Sequence, residues 1–259
     1  MTRIIGILAG KGGVGKTTVA INLACALGLL NKKVSLIDFN FTTSHLAIEF
    51  GIIPQITFNN VLRNETKIEN AIYPCYNIFL LPTSLSFYDL SDIELSDIKS
   101  KIKDSLNDFD IVLLDSAPGF GREALATIQA SDEVIFVVNP TMAAVVDAMK
   151  GRQLALQLGA NPLGIVVNKY RGKSFELKPE ELSNLIELPL LATIKEDVDF
   201  LKSEAAKIPL VFYKRNKAEE FFRLAYSLIG KKYESPNIFK RFLAKLSLHS
   251  IKDRIHKFD

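Results

Sequence analysis

Residues 10–18 read Gly-Lys-Gly-Gly-Val-Gly-Lys-Thr-Thr, between the apolar runs Ile4-Ile5-Gly6-Ile7-Leu8-Ala9 and Val19-Ala20-Ile21-Asn22-Leu23-Ala24. A strand, a glycine-rich turn and a helix start in that order leave the chain few ways to fold, because this is the context a phosphate-binding loop requires. Glycines admit positive φ and let several N–H groups converge on one anion. The helix that follows presents its own free N–H groups and the positive end of its dipole to the same place. The spacing G-x-x-x-x-G-K-T assigns phosphate contacts to Gly12, Gly13, Val14, Gly15, Lys16, Thr17 and Thr18. Lys16 is expected to reach the β- and γ-phosphates, and the Thr17 hydroxyl to ligate Mg²⁺.

The rest of the chain supplies a sheet to carry that loop. After the first helix, which is expected to run to about residue 30, residues 34–38 read as a second buried strand. A helix is expected near residues 43–50, and residues 51–76 carry no clear period. Further strands are expected at 77–81, 110–115, 133–139, 163–168 and 188–194. Helices are expected at 91–106, 122–130, 141–158, 197–207 and 217–229. Strands that are apolar throughout, alternating with helices, predict a doubly wound, mostly parallel α/β sheet of about seven or eight strands.

At 259 residues and 48% hydrophobic, the chain has material for one large α/β domain. That domain is expected over residues 1–230, followed by a linker at 231–236 and an amphipathic tail at 237–259. Met1-Thr2-Arg3 leads straight into the first strand, so no secretory leader is expected, and no apolar run approaches the ~18 residues of a membrane span. Cys25 and Cys75 stand apart, which predicts neither a metal cluster nor a disulfide framework, and a cytoplasmic setting. The charge is uneven. From residue 231 on, eight Lys and Arg face three acids, a net of +5, so the preceding residues carry −2 of the total of +3. A basic tail on a near-neutral body predicts an anionic partner for the tail.

Lys11 adds a second lysine early in the loop, and K-G-G-V-G-K-T-T resembles the deviant Walker A loop of the MinD/ParA family of ATPases. The string Asp115-Ser116-Ala117-Pro118-Gly119-Phe120-Gly121-Arg122-Glu123-Ala124 is similar to switch II of archaeal-type MinD proteins. The resemblance implies an ATP- and Mg²⁺-dependent homodimer in which Lys11 of each subunit reaches the other's phosphates. It also implies a metal-shell role for Asp115 and γ-phosphate sensing by residues 116–119. Arg122 and Glu123 read equally well as interface residues and as helix-start charges. Asp38, at another strand end, is expected beside the loop and the metal. The family usually has D-x-D here, the second Asp positioning the hydrolytic water, whereas this chain has Asp38-Phe39-Asn40. An amide can hold a water but cannot take its proton. Slow hydrolysis is therefore expected. Asn168 matches the position that hydrogen-bonds adenine in the family, and Ile194-Lys195-Glu196-Asp197 stands where further base contacts often read I-P-E-D. Ile194 and Glu196 are the candidate contacts there.

In the tail, Phe239, Phe242, Leu243 and Leu246 recur at helical spacing with Lys240, Arg241 and Lys245 off that face. Leu248, Ile251, Ile255 and Phe258 form a second stripe on roughly the opposite side. The first segment looks like the membrane-targeting sequence of MinD, which implies peripheral attachment to anionic lipid. Packing of the tail on its own body or on a protein partner is the plainer alternative. Two functions follow from the resemblance: a membrane-associated switch of the MinD type that positions division or other polar machinery, and a ParA-type ATPase that binds DNA non-specifically. An ATP-gated scaffold with almost no turnover is a third.

Overall fold

The computed structural model describes residues 2–42, 44–85 and 97–233. Its strands are β1 (Arg3–Leu8), β2 (Val34–Phe39), β3 (Tyr73–Cys75), β4 (Ile78–Leu81), β5 (Ile111–Ser116), β6 (Glu133–Val138), β7 (Asn161–Tyr170) and β8 (Leu190–Lys195). They form one eight-stranded sheet in the order β3-β4-β2-β5-β1-β6-β7-β8. Every neighbouring pair is parallel except β3 and β4, which form a hairpin at one edge.

The apolar strands bury side chains on both faces because successive residues point to opposite sides. Ile5, Ile7, Leu113, Ile135 and Val137 face α1 (Lys16–Leu29), α9 (Leu210–Tyr213) and α10 (Glu219–Leu228). Their neighbours turn the other way. Ile4, Val112 and Leu114 pack with α4 (Ile98–Ser105) and α5 (Arg122–Ala130), whereas Leu8, Val134 and Phe136 pack with α6 (Met142–Gln157) and α7 (Pro179–Ile186). Burial on both faces makes the sheet a rigid platform for loops at the C-terminal ends of its strands.

The unread segment 51–76 contains α3 (Phe58–Leu62), a 3₁₀ turn at Ile68–Ala71 and β3. Three residues are too few to show a period, and Pro74 is tolerated because β3 lies at the sheet edge. The sixth expected strand, 163–168, extends to Asn161–Tyr170. Helix α7 went unread although its signals were present: Pro179 opens it, and Glu180 and Glu181 lie in its first turn. Of the helix expected at 91–106, residues 91–96 lie outside the described residues, as do the last residues of the linker from 234 and the whole tail at 237–259. Where the chain approaches that tail, Tyr233 packs edge-on against Tyr226, their ring centroids 5.4 Å apart.

Helix α2 (Leu46–Glu49) sits where the second strand's loop turns back toward α8 (Val198–Ala205). Tyr76, at the tip of the β3–β4 hairpin, stacks on Phe212 of α9 at 4.9 Å, and its hydroxyl donates to the Lys207 carbonyl at 3.1 Å. Burial first, then the nearby Glu204 and Asp115 carboxylates, push the Glu49 carboxyl up from 4.5 to about 7. The fold thus favours protonated Glu49. That contribution is complete below the unfolded value of 4.5 and is lost as pH rises through about 7. Glu49→Gln should therefore be more stable than the parent at pH 8, with the difference closing as the pH falls toward 4.5. Urea denaturation across that range checks it, and a pH-independent difference would contradict the assignment.

Candidate nucleotide site

The phosphate loop joins β1 to α1, and its position in the sheet decides which carboxylates it meets. β5, not β2, is the neighbour of β1 on that side, with Ile7 opposite Asp115. β2 lies one strand further, with Asp38 opposite Asp115. Asp115 is therefore the carboxylate beside the loop, and Asp38 stands behind it rather than directly against the loop.

Asp115 is buried and doubly held. Lys16 Nζ lies 2.7 Å from its Oδ1, and Thr17 Oγ1 donates to its Oδ2 at 2.7 Å. With side chains 7% and 3% exposed, Lys16 and Asp115 form an ion pair largely removed from water. Such a pair is held by geometry more than by net gain, since desolvating both charges offsets much of their attraction.

Asp38 anchors the loop that follows β2. Its Oδ1 accepts the Asn40 N–H at 3.0 Å, and its Oδ2 accepts Ser44 Oγ at 2.8 Å and the Leu46 N–H at 3.4 Å. Burial and then the neighbouring Asp115 raise its carboxyl to about 6, against those three hydrogen bonds, which favour the charged form. Asn40 closes the tight turn at the strand end and lies partly exposed. Within residues 116–119, Ser116 Oγ donates to the Ala117 carbonyl at 2.7 Å, and the Gly119 N–H donates to the Ala9 carbonyl at 3.0 Å. Pro118 is exposed. Thr42 Oγ1 and Glu123 Oε1, 2.5 Å apart, link the loop after β2 to the start of α5.

On the other side of the loop, Asn168 is buried and its Nδ2 donates to the Val14 carbonyl at 2.7 Å. Ile194 is a core residue of β8. Glu196 is exposed and paired with Arg171. Lys11, Gly12 and Gly13 form an exposed rim, Thr18 is partly exposed, and Gly15, with φ of +89°, caps α1. A Cβ on Gly15 would stand 2.3 Å from Asn168 Nδ2. The tail candidates Phe239, Lys240, Arg241, Phe242, Leu243, Lys245 and Leu246 lie outside the described residues.

Sequence reading missed three contacts. Ser44 was hidden in a polar run, the Thr42–Glu123 link spans 81 residues, and Lys169 stood beside Asn168 with no motif to mark it. Only the last had a usable signal, its adjacency to a candidate base contact.

The donor set suits Mg²⁺. Two carboxylates in register and a threonine hydroxyl offer hard oxygens, and Mg²⁺ is usually held by one or two carboxylates together with substrate phosphates. Among the described residues no cluster of three or more His, Cys, Asp or Glu offers an all-protein metal cage.

A phosphate loop between the first strand and first helix, with an aspartate at the adjacent strand end, defines a P-loop nucleoside-triphosphatase fold. A family profile described as an AAA domain matches residues 2–156. An uncharacterized ATP-binding protein of Methanocaldococcus jannaschii is 31% identical over 239 residues, which cover 91% of this chain and 90% of that protein. The cell division ATPase MinD of Pyrococcus furiosus superposes with a TM-score of 0.85 at 33% identity, covering 89% of this chain and 99% of its own. The septum site-determining protein MinD of Pyrococcus horikoshii, solved with Mg-ADP, superposes at 0.84 with 33% identity, covering 88% and 96%. The chain belongs to the MinD/ParA family of P-loop ATPases and stands close to its archaeal MinD-like members.

Because Lys16 neutralises a buried aspartate, Lys16→Ala should lower the stability of the nucleotide-free protein by about 3–5 kcal/mol, the cost of leaving one charge of a buried pair uncompensated. Chemical denaturation measures this, and a loss below about 1 kcal/mol would mean that water reaches Asp115.

Proposed function

We propose that this protein is an ATP-dependent dimerising switch of the MinD type, which hydrolyses ATP to ADP and phosphate slowly and cycles on and off a membrane surface. The observation that carries this reading is the convergence of Lys16 and Thr17 on Asp115 at the edge of the phosphate loop. A triphosphate offers Lys16 a competing anion in place of Asp115. The lysine then serves the β- and γ-phosphates, and Thr17 and Asp115 are released toward a metal. Thr17 and Asp115, with Asp38 behind them, would hold a Mg²⁺ ion, which would offset the negative charge of the triphosphate. Release of Asp115 alters the charge beside Asp38, whose carboxylate accepts from Asn40, Ser44 and Leu46, so the loop after β2 feels the occupancy of the site. The Thr42–Glu123 contact passes that state on to α5.

Asn168 keeps its Oδ1 for the amino group of adenine while its Nδ2 serves the loop. Ile194 and Glu196 flank the base through the β8 end, and residues 116–119 sense the γ-phosphate. Lys11, exposed at the rim of the loop, would reach the phosphates of a second subunit. Residues 1–230 form the ATPase body, and 231–236 lead into the basic tail at 237–259. Arg3 Nη1 donates to the Leu228 carbonyl at 2.5 Å, so α10 ends beside the start of β1, at the opposite end of that strand from the phosphate loop. Two tails brought together by dimerisation bind a surface more tightly than one, by effective concentration.

Asn40 withholds the carboxylate that the family usually places at this position. Restoring it with Asn40→Asp should raise steady-state phosphate release by about tenfold or more, within the range of general-base assistance. Equal rates for the two proteins would remove Asn40 from the explanation of slow turnover.

For the membrane role, co-sedimentation with anionic liposomes should be strongest with ATP, weaker with ADP or without nucleotide, and absent once residues 237–259 are removed. ATP-dependent pelleting that survives the truncation would refute the role given to the tail. Preference for duplex DNA over liposomes would favour the ParA-type function.

A further inference from the structure

Two consecutive residues at the end of β7 grip two consecutive carbonyls of the phosphate loop. Asn168 Nδ2 donates to the Val14 carbonyl and Lys169 Nζ to the Gly13 carbonyl, both at 2.7 Å. Lys169 does so from φ of +57°, a left-handed conformation that a lysine adopts only where its surroundings hold it. The backbone there is held in turn by Asn139 at the end of β6, whose Nδ2 donates to the Asn168 carbonyl at 3.1 Å. Both side chains lie against Gly15: a Cβ on that glycine would come within 2.3 Å of Asn168 Nδ2 and 3.8 Å of Lys169 Cε.

The geometry of the peptide unit gives these contacts a consequence. In a trans peptide the C=O of one residue and the N–H of the next point in opposite directions. Tying the Gly13 and Val14 carbonyls to β7 therefore aims the Val14 and Gly15 N–H groups the other way. Left-handed φ values of +77° at Gly13 and +89° at Gly15 let the loop turn at both ends of this stretch. Those N–H groups belong to the set that the loop motif offers to phosphate.

We infer that Lys169 is a positioning residue which, together with Asn168, presets the Val14 and Gly15 N–H groups for phosphate before any nucleotide arrives. The role is distinct from contact with the base, and it rests on the nucleotide-binding reading above. Preorganised donors need no reorientation when the anion binds, so their loss appears as lost affinity for phosphate itself.

The test compares a nucleotide with a base-free probe. ADP and inorganic pyrophosphate, each with Mg²⁺, would be titrated against a fluorescent ADP analogue bound to the full chain, for the parent and for Lys169→Met, Lys169→Gly and Lys169→Arg. Loss of one charge-assisted hydrogen bond at an exposed site should weaken ADP and pyrophosphate equally, by about tenfold, in the Met variant. The Gly variant adopts positive φ without strain and should lose as much, with unfolding temperature unchanged. The Arg variant, which keeps a charged donor, should recover most of the affinity. A loss confined to ADP would make Lys169 a base contact and overturn the inference, as would parent-like pyrophosphate binding in the Met or the Gly variant. If the parent itself bound neither probe, the nucleotide reading would fall and the inference with it.

Discussion

The buried pair of Lys16 and Asp115 is the constraint on which the rest of this site depends. Two opposite charges with side chains 7% and 3% exposed are tolerable only while each has the other, and Thr17 completes the arrangement by donating to the second carboxylate oxygen. The arrangement is stable without ligand and at the same time easily exchanged. On the function proposed above, a polyphosphate and a divalent cation would replace the two halves of the pair with partners of the same charge. A loop built this way need not choose between being ordered and being receptive.

Asp38 shows how that exchange can extend beyond the loop. Its carboxylate accepts from Asn40, Ser44 and Leu46, so three positions after β2 are held by one side chain. The same side chain stands opposite Asp115 across two paired strands. Like charges at this spacing oppose each other, so the group that holds Asn40, Ser44 and Leu46 is sensitive to the charge beside Asp115. Thr42 carries the connection on to Glu123, so the loop after β2 and the start of α5 touch directly.

The local pieces of this protein were largely legible. The G-K-G-G-V-G-K-T-T string, the apolar strands and the Asp at the end of β5 are short-range signals, because strand burial and loop conformation depend on residues close in the chain. Helix α7 was legible but unread. Strand β3 was not, since three residues with a central proline show no period and owe their pairing to the β4 strand across the hairpin. Ser44 gave no sign of its role and Lys169 only its place beside Asn168, because a hydroxyl or an ammonium group announces a partner only when folding brings one within reach.

The sequence by itself determined that a phosphate loop would sit between a first strand and a first helix, on a parallel sheet covered on both faces, with carboxylates at strand ends. Glycine spacing and apolar runs suffice for that, since both act through local backbone geometry and burial. Only the tertiary structure decided which carboxylate meets the lysine. The strand order places β5 between β1 and β2, which puts Asp115 against Lys16 and sets Asp38 one strand back. It alone also brought the end of β7 onto the Gly13 and Val14 carbonyls. Those pairings join residues about a hundred or more positions apart, and no local rule of propensity or periodicity reaches that far.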